Sequence, residues 1–171
     1  MRMAGKRLRS RIVILVTCVA TCVLSLTACD RGDHPGGIGS PAREFTLADG
    51  AQKVDLAQFR GHIVIVNFWA TYCLPCIEEL PSLLAMQRHM PQVTVLAISQ
   101  DDDPDAYHAF LTKYDVQLLT LRDPSGRIPA LYGTIKIPES YVIDRQGILR
   151  RKFVSAQDWT SPEIVDYLSK L

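Results

Sequence analysis

Cys73 and Cys76 stand three positions apart in "NFWATYCLPCIEELP" (Asn67–Pro81), and Glu79 follows three positions later. Two thiols at this spacing can close a structural disulfide, clip a soft metal ion, or exchange electrons with the disulfide of a partner. At the start of a helix the first thiol would meet unpaired amides and the positive end of the macrodipole, which favour its thiolate. The second would sit one turn inside and be less exposed. In an exchange reaction this asymmetry makes Cys73 the attacking thiol and Cys76 the thiol that resolves the mixed disulfide. Pro75 suits the first helical turn, because it has no amide to lose there.

The flanking pattern supplies both a strand and a helix to hold the pair. "HIVIVNFWA", ending at Ala70, is an almost unbroken β-branched and apolar run, as expected of a strand covered on both faces. Glu78 to Met90 has apolar residues at helical spacing, with Pro81 expected to bend the axis. "VTVLAIS" (Val93–Ser99) repeats the buried-strand pattern. Asp103 and Pro104 then read as the N-cap and first residue of a second helix, which makes the Asp101–Asp103 run a helix start rather than a metal site.

Further along, "QLLTL" and the turn "DPSG" precede a helical turn in "RIPALYG". "ESYVID" and "ILRRKFV" read as two strands joined at Arg145–Gly147, and Ser161–Pro162 as the opening of a terminal helix. Upstream, "EFTLADGAQKVDLAQF" gives two short strands around Asp49–Gly50 and a helical turn ending at Gly61. Strands alternating with helices, then an antiparallel pair, predict an α/β sandwich with a central mixed sheet.

The first 28 residues carry five basic side chains (Arg2, Lys6, Arg7, Arg9, Arg11) and no acidic one. Taking five from 19 leaves 14 basic against 18 acidic side chains from Cys29 onward, a net of −4 despite +1 for the whole chain. A mildly acidic body without a basic stripe argues against nucleic acid as a partner. The basic start and the uncharged run Ile12–Ala28 read residues 1–28 as a signal peptide, although the run also has the length of the shortest membrane spans. "LTAC" at its end resembles the bacterial lipobox, which implies lipidation of Cys29. Asp30 after it resembles the signal for retention at the inner membrane. Cys18 and Cys22 count as small apolar residues of the leader. The glycine- and proline-rich stretch that follows makes residues 29–43 a flexible tether, and 44–171 the folded domain.

With those elements in place, "VIVNFWATYCLPC" resembles the active-site segment of thioredoxin-fold proteins. Cys76 followed by "IEELP" resembles the TlpA/ResA group of membrane-tethered thiol-disulfide oxidoreductases, within the AhpC/TSA-redoxin superfamily. The resemblance runs from about Glu44 to Leu171 and implies a three-layer thioredoxin-like sandwich with an added N-terminal β-hairpin. It implies disulfide exchange in which the Cys73–Cys76 pair carries the electrons and no further cofactor is needed. In "KIPESYVIDRQGILRRKFV", Pro138 matches a cis proline that faces the disulfide, and the backbone at Ile137 would pair with a bound partner. Glu79 matches an acidic position of the group. It lies on the helical face of Cys76, where burial would raise its pKa and let it move a proton, whereas Glu78 would be solvated. Asn67 replaces the buried aspartate of cytosolic thioredoxins, and Tyr72 replaces a tryptophan. Trp69 is expected beneath the active-site turn. Pro138 followed by Glu139 resembles the subgroup serving cytochrome c maturation.

The resemblance thus implies an enzyme on the extracytoplasmic face of the membrane, lipid-anchored, reducing disulfides of exported proteins, apocytochrome c among the candidates. Its electrons would come from a membrane thiol donor. Three other uses compete. A structural staple is unnecessary for a domain of this size. Metal delivery, with copper as the soft ion, lacks ligands beyond the two thiolates, because no second C-x-x-C exists and the four histidines are scattered; no residue is assigned to a metal. A peroxiredoxin-like peroxidase would need a Pro-x3-Thr-x2-Cys pattern that Ala70 and Leu74–Pro75 do not match.

Overall fold

The computed structural model describes residues 37–171. The expectations placed on residues 1–36, the leader and the lipidation of Cys29 among them, lie outside the described residues.

The hairpin pairs β1 (Thr46–Asp49) with β2 (Gln52–Asp55), and a 3-10 turn at Leu56–Phe59 follows. The central sheet contains β3 (Ile63–Trp69), β4 (Val93–Ser99), β5 (Leu119–Arg122), β6 (Glu139–Ile143) and β7 (Leu149–Val154), in the order β5-β4-β3-β6-β7. β3 runs parallel to β4 and antiparallel to β6, so the sheet is mixed. Every residue of β3 is buried, as its unbroken apolar run requires.

Alternate side chains of the sheet go to opposite faces. Ile63, Ile65 and Trp69 join a cluster with α1 (Leu74–His89), α2 (Pro104–Lys113) and α4 (Pro162–Ser169). Val64, Val66 and Phe68 join one with the hairpin and α3 (Arg127–Tyr132). The result is the predicted three-layer sandwich, with the hairpin closing one face. The side chain of Asp49, at the end of β1, accepts bonds from the Arg122 amide and guanidinium, both at 2.9 Å, and fixes the hairpin to the edge strand β5.

The helix ends follow their local chemistry. Asp103 caps α2 by accepting from the amides of Asp105 and Ala106, and Pro104 is its first residue. Ser161 stands at the N-cap of α4, yet its side chain makes no capping bond. α1 begins at Leu74, four residues before the periodic pattern suggested, because Cys73 itself caps it; the helix continues through Pro81. Gly133 ends α3 at φ +69°, a left-handed turn that suits glycine and leads the chain toward Pro138.

Residues 37–43, assigned to the tether by their composition, run along the start of β7. The Gly39 amide donates to the Leu149 carbonyl at 2.8 Å, and the Leu149 amide to the Ser40 carbonyl at 2.9 Å. Ala42 is buried. Glycine and proline content alone does not show such pairing, which depends on an edge formed more than a hundred residues away.

Candidate active site

β3 delivers the chain to the site and α1 receives it. Cys73 and Cys76 are joined by a disulfide across the first turn of α1. Cys73 is the N-cap residue, and its Sγ accepts a hydrogen bond from the Cys76 amide at 3.3 Å. Pro75 lies in the first turn. An amide at the positive helix end, aimed at this sulfur, stabilises negative charge there once the bond is reduced. Both cysteines are largely buried, Cys73 at 8% exposure and Cys76 at 4%, so their difference in access is small.

The residues flanking the disulfide are open. Tyr72 is 70% exposed, Leu74 65% and Ile135 94%. A groove of about 410 Å³ is lined by Tyr72, Pro129, Ile135, Lys136 and Ile137, among others. The Ile137–Pro138 bond is cis. Tyr72 precedes Cys73 and Ile137 precedes Pro138, so this groove joins the two sequence-predicted binding segments.

Beneath the disulfide, Glu79 is buried and Glu78 exposed. Glu79 Oε1 accepts from Asn67 Nδ2 at 2.9 Å, while Oε2 accepts from the Gln157 amide at 3.0 Å and from Trp159 Nε1 at 3.4 Å. Burial pushes the Glu79 carboxyl above its ordinary value of 4.5, against the opposing pull of the Gln157, Asn67 and Trp159 hydrogen bonds. A small cavity is bordered by Asn67, Trp69, Cys76 and Glu79, among others. Trp69 packs against Tyr107 and Phe110 in the cluster that contains both cysteines.

Four residues that support the site have no signal in the sequence pattern. Gln157 and Trp159 approach Glu79 from the loop after β7. Ser140 accepts from Asn67 at 2.9 Å. Asp101, expected only at a helix start, is buried and accepts from the amide and hydroxyl of Thr71, two residues before Cys73.

A C-x-x-C disulfide capping a helix at the end of a central strand, in a fold that also holds a cis proline just before β6, defines a thioredoxin-like thiol-disulfide oxidoreductase. The AhpC/TSA family matches residues 38–152, and the chain belongs to it. It is 29% identical to the thiol-disulfide oxidoreductase ResA of Bacillus thuringiensis subsp. konkukian over 99% of both chains. Among solved structures, one from Chlorobium tepidum assigned to the thiol:disulfide interchange protein DsbE superimposes with a TM-score of 0.68. The two are 28% identical, over 78% of this chain and 93% of that one. A secreted disulfide oxidoreductase of Mycobacterium tuberculosis is 27% identical, over 74% of this chain and 96% of that one, with a TM-score of 0.64.

Proposed function

We propose that the protein is a membrane-tethered, extracytoplasmic reductase of disulfides in exported proteins. The observation that carries this reading is the placement of Cys73 as N-cap of α1, its sulfur facing the Cys76 amide, with Tyr72 and Ile137 lining one groove. A partner segment paired at Ile137 would bring its disulfide to Cys73.

The chemistry balances over two exchanges. The Cys73 thiolate attacks one partner sulfur; the Cys73–partner bond forms, the partner disulfide breaks, and one partner thiolate leaves. Cys76 gives its proton to Glu79 and attacks Cys73 Sγ, which releases the second partner sulfur and forms the Cys73–Cys76 disulfide. The two partner thiolates take up one proton from Glu79 and one from solvent, and two electrons have moved to the partner. The dithiol pair itself is the electron carrier, and a membrane thiol donor returns the two electrons.

The basic leader, its apolar run and the "LTAC" junction at Cys29 support export and lipid anchoring, in line with the secreted Mycobacterium tuberculosis relative. Pro138–Glu139 favours apocytochrome c as substrate. The deciding experiment is the reduction potential of the Cys73–Cys76 couple. A value of about −250 mV or lower supports the reductase, whereas one close to about −120 mV would make the protein an oxidant.

A further inference from the structure

Asn67 spends both hydrogens of its side-chain amide inside the core. One goes to Glu79 Oε1 and the other to Ser140 Oγ, each at 2.9 Å. Asn67 and Ser140 are directly opposed partners in the β3–β6 ladder, and Ser140 is the second residue after Pro138. All three side chains are buried, with exposures of 2% for Asn67, 4% for Glu79 and 2% for Ser140. Where thioredoxins place a carboxylate on this strand, the chain places an amide that touches the carboxyl on α1 instead.

We propose that Asn67 is a positioning residue of the exchange reaction, aiming the Glu79 carboxyl at the cavity it shares with Cys76 and tying it to β6, the strand that follows Pro138. The inference rests on the proton role given to Glu79 above. Glu79 is faced by Cys76 from its own helix, by Asn67 from β3, and by Gln157 and Trp159 from the loop after β7. Ala97 of β4 and Val116 and Leu118 before β5 border the same cavity. Of these only Cys76 can ionise, and only once the disulfide is reduced, so in the reduced protein a change at Asn67 reaches one carboxyl and one thiol. Donation by Asn67 favours the carboxylate, and Ser140 holds the amide in the donating orientation. In low dielectric a hydrogen bond to a charged group is stronger than one between neutral partners.

The test follows the Glu79 carboxyl by carbon NMR in the full-length reduced protein, with Glu79→Gln identifying its signal. The pH dependence of reduction of a small model disulfide is recorded alongside. Asn67→Leu is expected to raise the Glu79 midpoint by about one pH unit, the order expected from loss of one charge-assisted hydrogen bond. Ser140→Ala should move it the same way by less, and its small size keeps the test open should Asn67→Leu not fold. The kinetic midpoint should move with the carboxyl. An unmoved carboxyl in the folded variants overturns the proposal, as does a loss of rate with no shift in either midpoint. A carboxyl that moves in Asn67→Leu, while Glu79→Gln leaves the rate profile unchanged, shows that Asn67 tunes the carboxyl but removes the proton role of Glu79, and with it the place of Asn67 in the exchange reaction.

Discussion

The backbone amide of Cys76 points at the Sγ of Cys73 from 3.3 Å, so the sulfur that caps α1 is the one that a thiolate must occupy to attack a partner. The two cysteines should therefore fail differently. Cys73→Ser is expected to reduce exchange to the uncatalysed background. Cys76→Ser keeps the attacking thiol and loses the resolving one, and should accumulate a mixed disulfide with a peptide substrate. Mass spectrometry of non-reduced mixtures separates the two outcomes. Equal trapping by both variants would remove the assignment of roles.

Glu79 makes stability depend on pH in a definite direction. Burial raises its folded-state pKa above the ordinary 4.5. A group raised in this way contributes most to stability below its unfolded value, and that contribution is lost as pH rises through the folded value. The wild-type protein should therefore lose stability relative to Glu79→Gln as pH increases above 4.5, at up to about 1.4 kcal/mol per pH unit within the window. Urea denaturation of the disulfide-bonded forms between pH 4 and 8 measures this with Cys76 unable to titrate. Parallel stability curves would show that Glu79 titrates alike in the folded and unfolded states.

What the sequence disclosed was local. Cys73, Pro75 and Cys76 lie within one helical turn, and the bounds of β4 and the start of α2 follow from unbroken β-branched residues and an Asp-Pro cap. Pro138 became legible only through resemblance, since nothing in an isolated Ile-Pro pair selects the cis form. The polar network beneath the disulfide was not legible at all. Asn67 meets Ser140 across 73 positions, Glu79 meets Gln157 across 78, and Thr71 meets Asp101 across 30. Helical and strand periodicities carry no information at those separations. The burial of Glu79 could be anticipated from its position on the helix face, but its hydrogen-bond donors could not.

Glu139 and Lys152 form a buried ion pair on the face opposite Glu79. Lys152 Nζ lies 3.1 Å from Glu139 Oε2, their side chains are 6% and 4% exposed, and the Tyr141 hydroxyl donates to the same carboxylate oxygen. Removing one partner leaves an uncompensated buried charge. Lys152→Met should destabilise the protein by about 3–5 kcal/mol, whereas Glu139→Gln combined with Lys152→Met should recover much of that loss. Chemical denaturation of the single and double variants tests the pair. A loss below about 1 kcal/mol in Lys152→Met would place the interaction in the range of exposed salt bridges.

Asp101 holds Thr71, two residues before Cys73. Its Oδ2 accepts from the Thr71 amide at 3.0 Å and its Oδ1 from the Thr71 hydroxyl at 2.6 Å, while the Ser99 hydroxyl also donates to it. Asp101→Asn keeps the shape but turns one acceptor into a donor facing other donors, and it removes the charge that strengthens these bonds. The expected cost is about 2 kcal/mol. Thr71→Val removes the hydroxyl alone, so the double variant should lose less than the sum of the singles by at least about 0.5 kcal/mol. Amide hydrogen exchange at Thr71 should also accelerate in Asp101→Asn beyond what the global loss of stability explains, because the amide loses its charged acceptor. If Thr71 exchange merely follows global unfolding and the two substitutions add without coupling, Asp101 supports the end of β4 and not the turn that presents Cys73.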